Sequence, residues 1–171
     1  MPKICLATLF VLLVGSATFA QNLRVFQDDL LDQLVGKWNG TGTVHGAPSK
    51  QTFEAEWVLN HQFLRIQEKT EEIIPRANVR FEALLFIGYD QTSKRYVLQS
   101  MNVWGAGRAG AFVYGERNGN EIKFDEDFAG VQGYSRLLWR PESKTWKYVT
   151  AMKNAKGEWQ TTVDLTLTAA K

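Results

Sequence analysis

After Gly36 the chain repeats one pattern, in which apolar and polar side chains alternate over short runs that turn residues separate. Phe53, Ala55 and Trp57, for example, are separated by two glutamates. Successive side chains on a strand point to opposite faces, so each run predicts a strand with one buried face. No helical run long enough for a parallel crossover follows Gly36, and we therefore expect an antiparallel sheet.

Ten segments carry this alternation, and turn signals such as Asn118-Gly119 punctuate them. We predict strands over residues 37–46, 52–59, 62–70, 79–89, 95–104, 111–117, 121–128, 133–140, 145–153 and 158–168. Closure into a barrel removes the exposed edges that such a sheet would otherwise present. The sequence thus favours an all-β fold, a single antiparallel up-and-down barrel, with a two-sheet sandwich as the alternative.

One short helix is predicted before the first strand, over Asn22–Val35. Phe26, Leu30 and Leu34 recur there at helical spacing and form one apolar stripe. Gly36 follows as a signal for the end of the helix.

Residues 1–20 have the pattern of a secretory signal peptide. Lys3 precedes an apolar run over Ile4–Val14, and small residues stand before a cleavage point after Ala20. The run is shorter than the roughly 20 residues of a membrane helix, and no other apolar run approaches that length. We expect export to the periplasm or the medium and a barrel domain over residues 21–171 with no membrane span. The alternative is an uncleaved anchor.

Composition and charge exclude several classes of function. A formal net charge of +2 lacks the basic excess of a nucleic-acid-binding protein. The one cysteine, Cys5, lies in the predicted signal peptide, which argues against a disulfide framework and a cysteine zinc site. Two histidines, His45 and His61, are too few for a multi-histidine metal site or a credible Ser-His-Asp triad. We expect no metal and no cofactor, and the sequence leaves the oligomeric state open.

The start of the predicted barrel, Gly36-Lys37-Trp38-Asn39-Gly40-Thr41-Gly42, resembles the Gly-x-Trp opening of lipocalin-like (calycin) barrels. Together with Trp57-Val58-Leu59, Phe63-Leu64 and Gly88-Tyr89-Asp90, it is most similar to an uncharacterised bacterial family of exported lipocalin-like proteins. This resemblance implies a calycin barrel and brings no activity with it.

The chain is more distantly similar to nitrobindin-like and fatty-acid-binding barrels. Nitrobindin-like barrels hold haem through a histidine late in the chain, whereas both histidines here come early. Fatty-acid-binding barrels clamp a carboxylate with Arg-x-Tyr on the last strand, and the last predicted strand here has neither residue. These resemblances therefore imply neither haem nor a fatty-acid clamp.

A ten-stranded barrel is wider than the eight-stranded kind that side chains or one small ligand fill. Its interior must hold a ligand, water or large side chains, because an empty cavity of ~300 Å³ would cost about 7 kcal/mol. The chain has 6 Trp, 5 Tyr and 10 Phe, of which Phe10 and Phe19 lie in the predicted signal peptide. The remaining aromatic side chains have enough volume to fill the space. A ligand-sized pocket and a filled barrel both remain open.

Seven residues on the predicted inner face are candidate ligand contacts. Five are aromatic and two are polar residues that interrupt the apolar alternation: Trp38, Trp57, Tyr89, Trp104, Tyr148, Asn102 and Glu126. No catalytic or metal-binding residue is assigned. The leading hypothesis is binding of a small, largely apolar molecule. The alternatives are an enzyme that uses Glu126 as acid or base, and a filled barrel that acts as an envelope interaction module. The orientation of Arg65, on the least clear strand, is left undecided.

Overall fold

The protein folds into one closed antiparallel barrel of ten strands, which confirms the predicted fold and excludes the sandwich. The computed structural model describes residues 25–75, 77–105, 112–128 and 130–171, and of Phe128 only the backbone, so the predicted signal peptide lies outside them. The elements are α1 (Asp29–Asp32), β1 (Gly36–Val44), β2 (Ala47–Val58), β3 (Phe63–Ile74), β4 (Val79–Asp90), β5 (Arg95–Asn102), β6 (Val113–Asn118), β7 (Glu121–Phe128), β8 (Val131–Arg140), β9 (Thr145–Lys153) and β10 (Trp159–Ala169). Each strand pairs with its neighbours in sequence, and β1 pairs with β10 to close the barrel.

The described helix is much shorter than the predicted Asn22–Val35, of which residues 22–24 lie outside the description. Asp28 takes an extended backbone conformation, and its side chain accepts hydrogen bonds from two amides of α1. This N-cap starts the helix at Asp29, seven residues after the predicted start at Asn22. Gly36, at a φ of 125°, then turns the chain into β1.

The barrel has two ends with different contents. The connections β2–β3, β4–β5, β6–β7 and β8–β9 lie at one end together with α1, and we call the interior there the closed half. The other end carries the remaining connections, and we call the interior there the mouth half. Leu30, Leu31 and Leu34 of the α1 region are at most 2% exposed and cap the apolar core of the closed half.

Glycine is required where the opening strand passes a large side chain. A Cβ atom at Gly40 would lie 2.7 Å from the ring of Phe53 and 3.0 Å from Leu167. The bare backbone at this position lets the Phe53 ring fill the barrel. Among the described residues, no helix is long and apolar enough to cross a membrane.

The predicted fifth and tenth strands differ from the structure at one end each. The fifth strand ends at Asn102, so Trp104 lies in the following turn and is 43% exposed. In β10 the register shifts between Thr161 and Val163, which breaks the predicted alternation. Strict alternation from Leu165 would place Trp159 on the inner face, but the shift turns it outward, where it is 53% exposed and packs edge-on against Tyr134.

Candidate functional site

Three of the seven candidate residues, Trp38, Trp57 and Tyr89, lie in the closed half and pack with the α1 region. The indole N–H of Trp38 donates to the carbonyl oxygen of Leu34 (2.7 Å). The indole N–H of Trp57 donates to the carboxylate of Asp32 (2.8 Å). Both indoles thus hold the helix on the barrel end, and their contact with a ligand stays a prediction.

Asp28 is the polar centre of the closed half. It is 6% exposed and accepts hydrogen bonds from the backbone amides of Leu30 (3.0 Å) and Leu31 (2.8 Å). The phenol of Tyr96 also donates to Asp28, and Arg117 forms an ion pair with it at 3.5 Å. Burial and the bond to Asp28 raise the pKa of Tyr96. Every polar group in this cluster has a partner.

The other four candidates, Asn102, Trp104, Glu126 and Tyr148, lie in or at the mouth half. Asn102 caps the turn at the rim, because its side-chain oxygen accepts from the backbone amide of Trp104 (3.0 Å). Glu126 faces inward on β7 and accepts a hydrogen bond from the hydroxyl of Ser135. Burial raises the pKa of Glu126, and the bond from Ser135 opposes that rise.

Tyr148 lines a cavity that begins at the middle of the barrel, among apolar side chains and two polar residues, Glu68 and Ser135. The cavity measures about 20 Å³, counted as space open to the centre of a water molecule, and holds about one water. Side chains therefore fill most of the interior in this conformation. Several inward-facing residues nearer the mouth are partly exposed: Ser100, Asn102, Thr150 and Met152.

Glu68 is a functional candidate that the sequence analysis missed. It is 5% exposed, and among the described residues its carboxyl has no hydrogen-bond or ion-pair partner. Burial raises its pKa to about 7. The missed signal was the orientation of Arg65, which points outward and pairs with Glu56 at 2.7 Å. An outward Arg65 places Glu68, three residues later, on the inner face.

Gln51 is a second buried polar residue that the sequence analysis missed. It is 3% exposed, and its side-chain carbonyl oxygen has no hydrogen-bond partner in the described part of the chain. Its amide nitrogen donates weakly to the hydroxyl of Ser49 (3.4 Å). Phe53 pairs with Glu68, and Gln51 pairs with Thr70, so Gln51 and Glu68 are diagonal neighbours on one face.

Tyr148 lies within electrostatic range of both carboxyl groups. Burial raises its pKa most, and the negative charges of Glu68 and then Glu126 raise it further, which places both carboxylates near the phenol. Its ring also packs edge-on against Phe53, at 6.1 Å between centroids. We call these five residues the mouth cluster: Gln51, Glu68, Glu126, Ser135 and Tyr148.

The mouth cluster is suited to hydrogen bonding. Among the described residues, no group of three or more His, Cys, Asp or Glu side chains is arranged to hold a metal ion. Comparison with models of protein families gives no match for this chain, and comparison with curated proteins finds no relative. A function must therefore be inferred from the barrel and the mouth cluster.

Proposed function

We propose that the protein is an exported lipocalin-like barrel that binds a small, largely apolar molecule in its mouth half. The closed ten-stranded barrel and its Gly36–Gly42 opening support the lipocalin-like assignment. The signal-peptide pattern of residues 1–20 supports export. The resemblance to calycins does not identify a ligand. The class of ligand must therefore be inferred from the residues of the mouth half.

One observation carries the proposal: buried hydrogen-bond acceptors face into the barrel without donors. Glu68 and Gln51 are both more than nine-tenths buried as residues, and neither the carboxyl of Glu68 nor the side-chain oxygen of Gln51 has a partner among the described residues. Leaving such a group unsatisfied costs about 1–3 kcal/mol each, and folded proteins rarely do so. A guest with polar atoms at one end would remove this cost.

The surroundings of the cluster suit an apolar guest. Val163 and Met152 face inward above it, and three exposed apolar residues lie at the rim: Val103, Trp104 and Phe112. The small central cavity means that a guest larger than water must displace side chains on entry. The side chains that would move to admit a guest are the partly exposed, inward-facing ones near the mouth.

The test is an NMR titration of the isotope-labelled protein with n-hexanol, a small neutral amphiphile. We expect saturable shifts of backbone amides in the mouth halves of β3, β7, β8 and β9, and little change in α1. A blocking variant, Ser100→Phe, places a ring on the inner face and should abolish these shifts. The control, Gln99→Phe, places the same ring on the outer face one residue earlier and should leave them intact.

Native mass spectrometry of freshly purified protein gives a second readout, in which a co-purifying small molecule is expected. The proposal is overturned if n-hexanol causes no saturable shift. It is also overturned if the shifts persist unchanged in Ser100→Phe, since binding then lies elsewhere on the molecule.

A further inference from the structure

The mouth cluster has more acceptors than donors. Glu68 and the oxygen of Gln51 receive no hydrogen bond among the described residues, and Glu126 receives one, from Ser135. The donors of the cluster are the hydroxyls of Ser135 and Tyr148 and the amide of Gln51, fewer than the acceptor sites of two carboxyl groups and an amide oxygen. The nearby hydroxyl of Thr150 already bonds to Thr162 (2.6 Å). A guest that fits this cluster must bring donors.

The cluster also lacks a positive charge. In the described part of the chain, the one lysine or arginine on the inner face of a strand is Arg117. It lies in the closed half, where Asp28 and Asp29 pair with it. The neighbouring basic residues on β3 and β8 point outward, Lys69 to Glu82 (3.2 Å) and Arg136 to Glu121 (3.6 Å). Two inward carboxyl groups thus lie near the phenol of Tyr148, with no counter-charge among the described residues.

From this geometry we infer that the guest carries a protonated amine, which Glu68, Glu126 and Gln51 receive inside the barrel. The inference rests on the proposed function and specifies the ligand class: a small apolar molecule with a primary or secondary ammonium group. A primary ammonium offers three donors, one for each of these three residues. Its charge supplies the missing cation.

The geometry also orients the guest. The central cavity below Glu68 is apolar and holds about one water, so no sizeable group fits beneath the cluster. The ammonium is therefore the inner end, and the apolar body extends toward the rim at Trp104. A carboxylate in the same place would meet two other carboxylates, which disfavours anionic guests.

The test compares three probes with one apolar body: n-hexylamine, n-hexanol and hexanoate. Affinities are measured by isothermal titration calorimetry at about pH 8, where Glu68 is ionised. We expect the amine to bind about tenfold or more tighter than the alcohol. Hydrogen bonds between charged groups are roughly twice as strong as neutral ones, and a tenfold change in affinity corresponds to about 1.4 kcal/mol. Hexanoate should bind more weakly than the alcohol.

Variants locate the effect. Glu68→Gln keeps the shape of the side chain and should remove most of the preference for the amine while changing the affinity for n-hexanol by less than about twofold. Glu126→Gln should reduce the same preference and provides a second variant if the first does not fold. The control is Glu82→Gln, an outer-face carboxyl that pairs with Lys69, and it should keep the preference.

The outcomes separate this inference from the proposed function. Equal binding of amine and alcohol would overturn the inference and leave the proposed function standing. A preference that survives in both Glu68→Gln and Glu126→Gln would also overturn it, because the ammonium would then bind elsewhere. Failure of all three probes to bind would overturn the proposed function as well.

Discussion

The two halves of the barrel treat buried polar groups in opposite ways. In the closed half, Asp28 is satisfied by two amides, a phenol and a guanidinium, and the indoles of Trp38 and Trp57 donate to acceptors of the α1 region. In the mouth half, Glu68 and Gln51 have acceptors without donors among the described residues. The same barrel therefore contains one polar network whose hydrogen bonds are satisfied and another, among the described residues, whose acceptors are not.

This difference separates the source of stability from the site of binding. A satisfied network stabilises a unique arrangement, whereas an unsatisfied one lowers stability until a guest completes it. The closed half plugs the barrel with leucine and tryptophan side chains. Changes in the closed half should alter folding, and changes in the mouth half should alter binding.

The largest expected effect comes from breaking the closed half at its centre. Asp28→Ala removes the helix N-cap and leaves Tyr96 and Arg117 without their buried partner. We expect the free energy of unfolding to fall by about 4 kcal/mol, measured by urea denaturation.

The neighbouring residue provides the control for this prediction. Asp29 also pairs with Arg117, at 2.6 Å, but its side chain is 85% exposed to solvent. Asp29→Ala should change the urea midpoint little, because exposed ion pairs contribute little to stability. Equal losses in both variants would show that burial does not set the role of Asp28.

In the mouth half, by contrast, a substitution at Glu68 should stabilise the protein. The pKa of Glu68 is raised by burial from its ordinary value of 4.5 to about 7 in the folded state. The folded state thus keeps the proton on Glu68 to a higher pH than the unfolded state does. Glu68 therefore lowers the free energy of unfolding progressively as the pH rises from 4.5 to about 7. Above pH 7 the cost is complete, at about 3 kcal/mol.

Glu68→Gln should therefore raise the free energy of unfolding by up to about 3 kcal/mol at pH 8 and by little near pH 4.5. Urea denaturation at both pH values measures this difference. Glu116→Gln, on the outer face with a side chain that is 82% exposed, should show no such pH-dependent gain. If Glu68→Gln were destabilised at pH 8, the conclusion that the carboxyl of Glu68 has no partner in the folded protein would be wrong.

The smallest effect concerns the one satisfied carboxyl of the mouth half. Ser135→Ala removes the hydroxyl that donates to Glu126, so the pKa of Glu126 should rise further because the opposing hydrogen bond is lost. Carbon-13 NMR titration of the glutamate carboxyls measures this shift, and stability at neutral pH should fall by about 1 kcal/mol. Ser143→Ala, in an exposed turn, should change neither quantity.

Local alternation was enough to predict the barrel, because each strand's inner face repeats every second residue. The inward orientation of Glu126 and Tyr148 followed from the same rule. Trp159 departed from it because the register shift in β10 has no clear sequence signal. Glu68 was missed because the alternation along its strand did not show whether Arg65 faces inward or outward. The ion pair between Arg65 and Glu56 shows that Arg65 faces outward, and Glu68 therefore faces inward.

The different roles of the tryptophans could not be read from the sequence either. Trp38 and Trp57 share the inner-face pattern of ligand-contacting residues, but which barrel end α1 covers depends on contacts made only in the folded chain. The hydrogen bonds from Trp38 to Leu34 and from Trp57 to Asp32 supply that information. Periodicity identifies the inside of a barrel and does not distinguish its ends.

The most direct test of the account is a crystal structure of the protein soaked with n-hexylamine. We predict electron density for the amine inside the mouth half, with its nitrogen within hydrogen-bond distance of the carboxyl of Glu68 and an unchanged closed half. A structure in which protein side chains alone satisfy Glu68 and Gln51, and no amine lies in the barrel, would contradict the account.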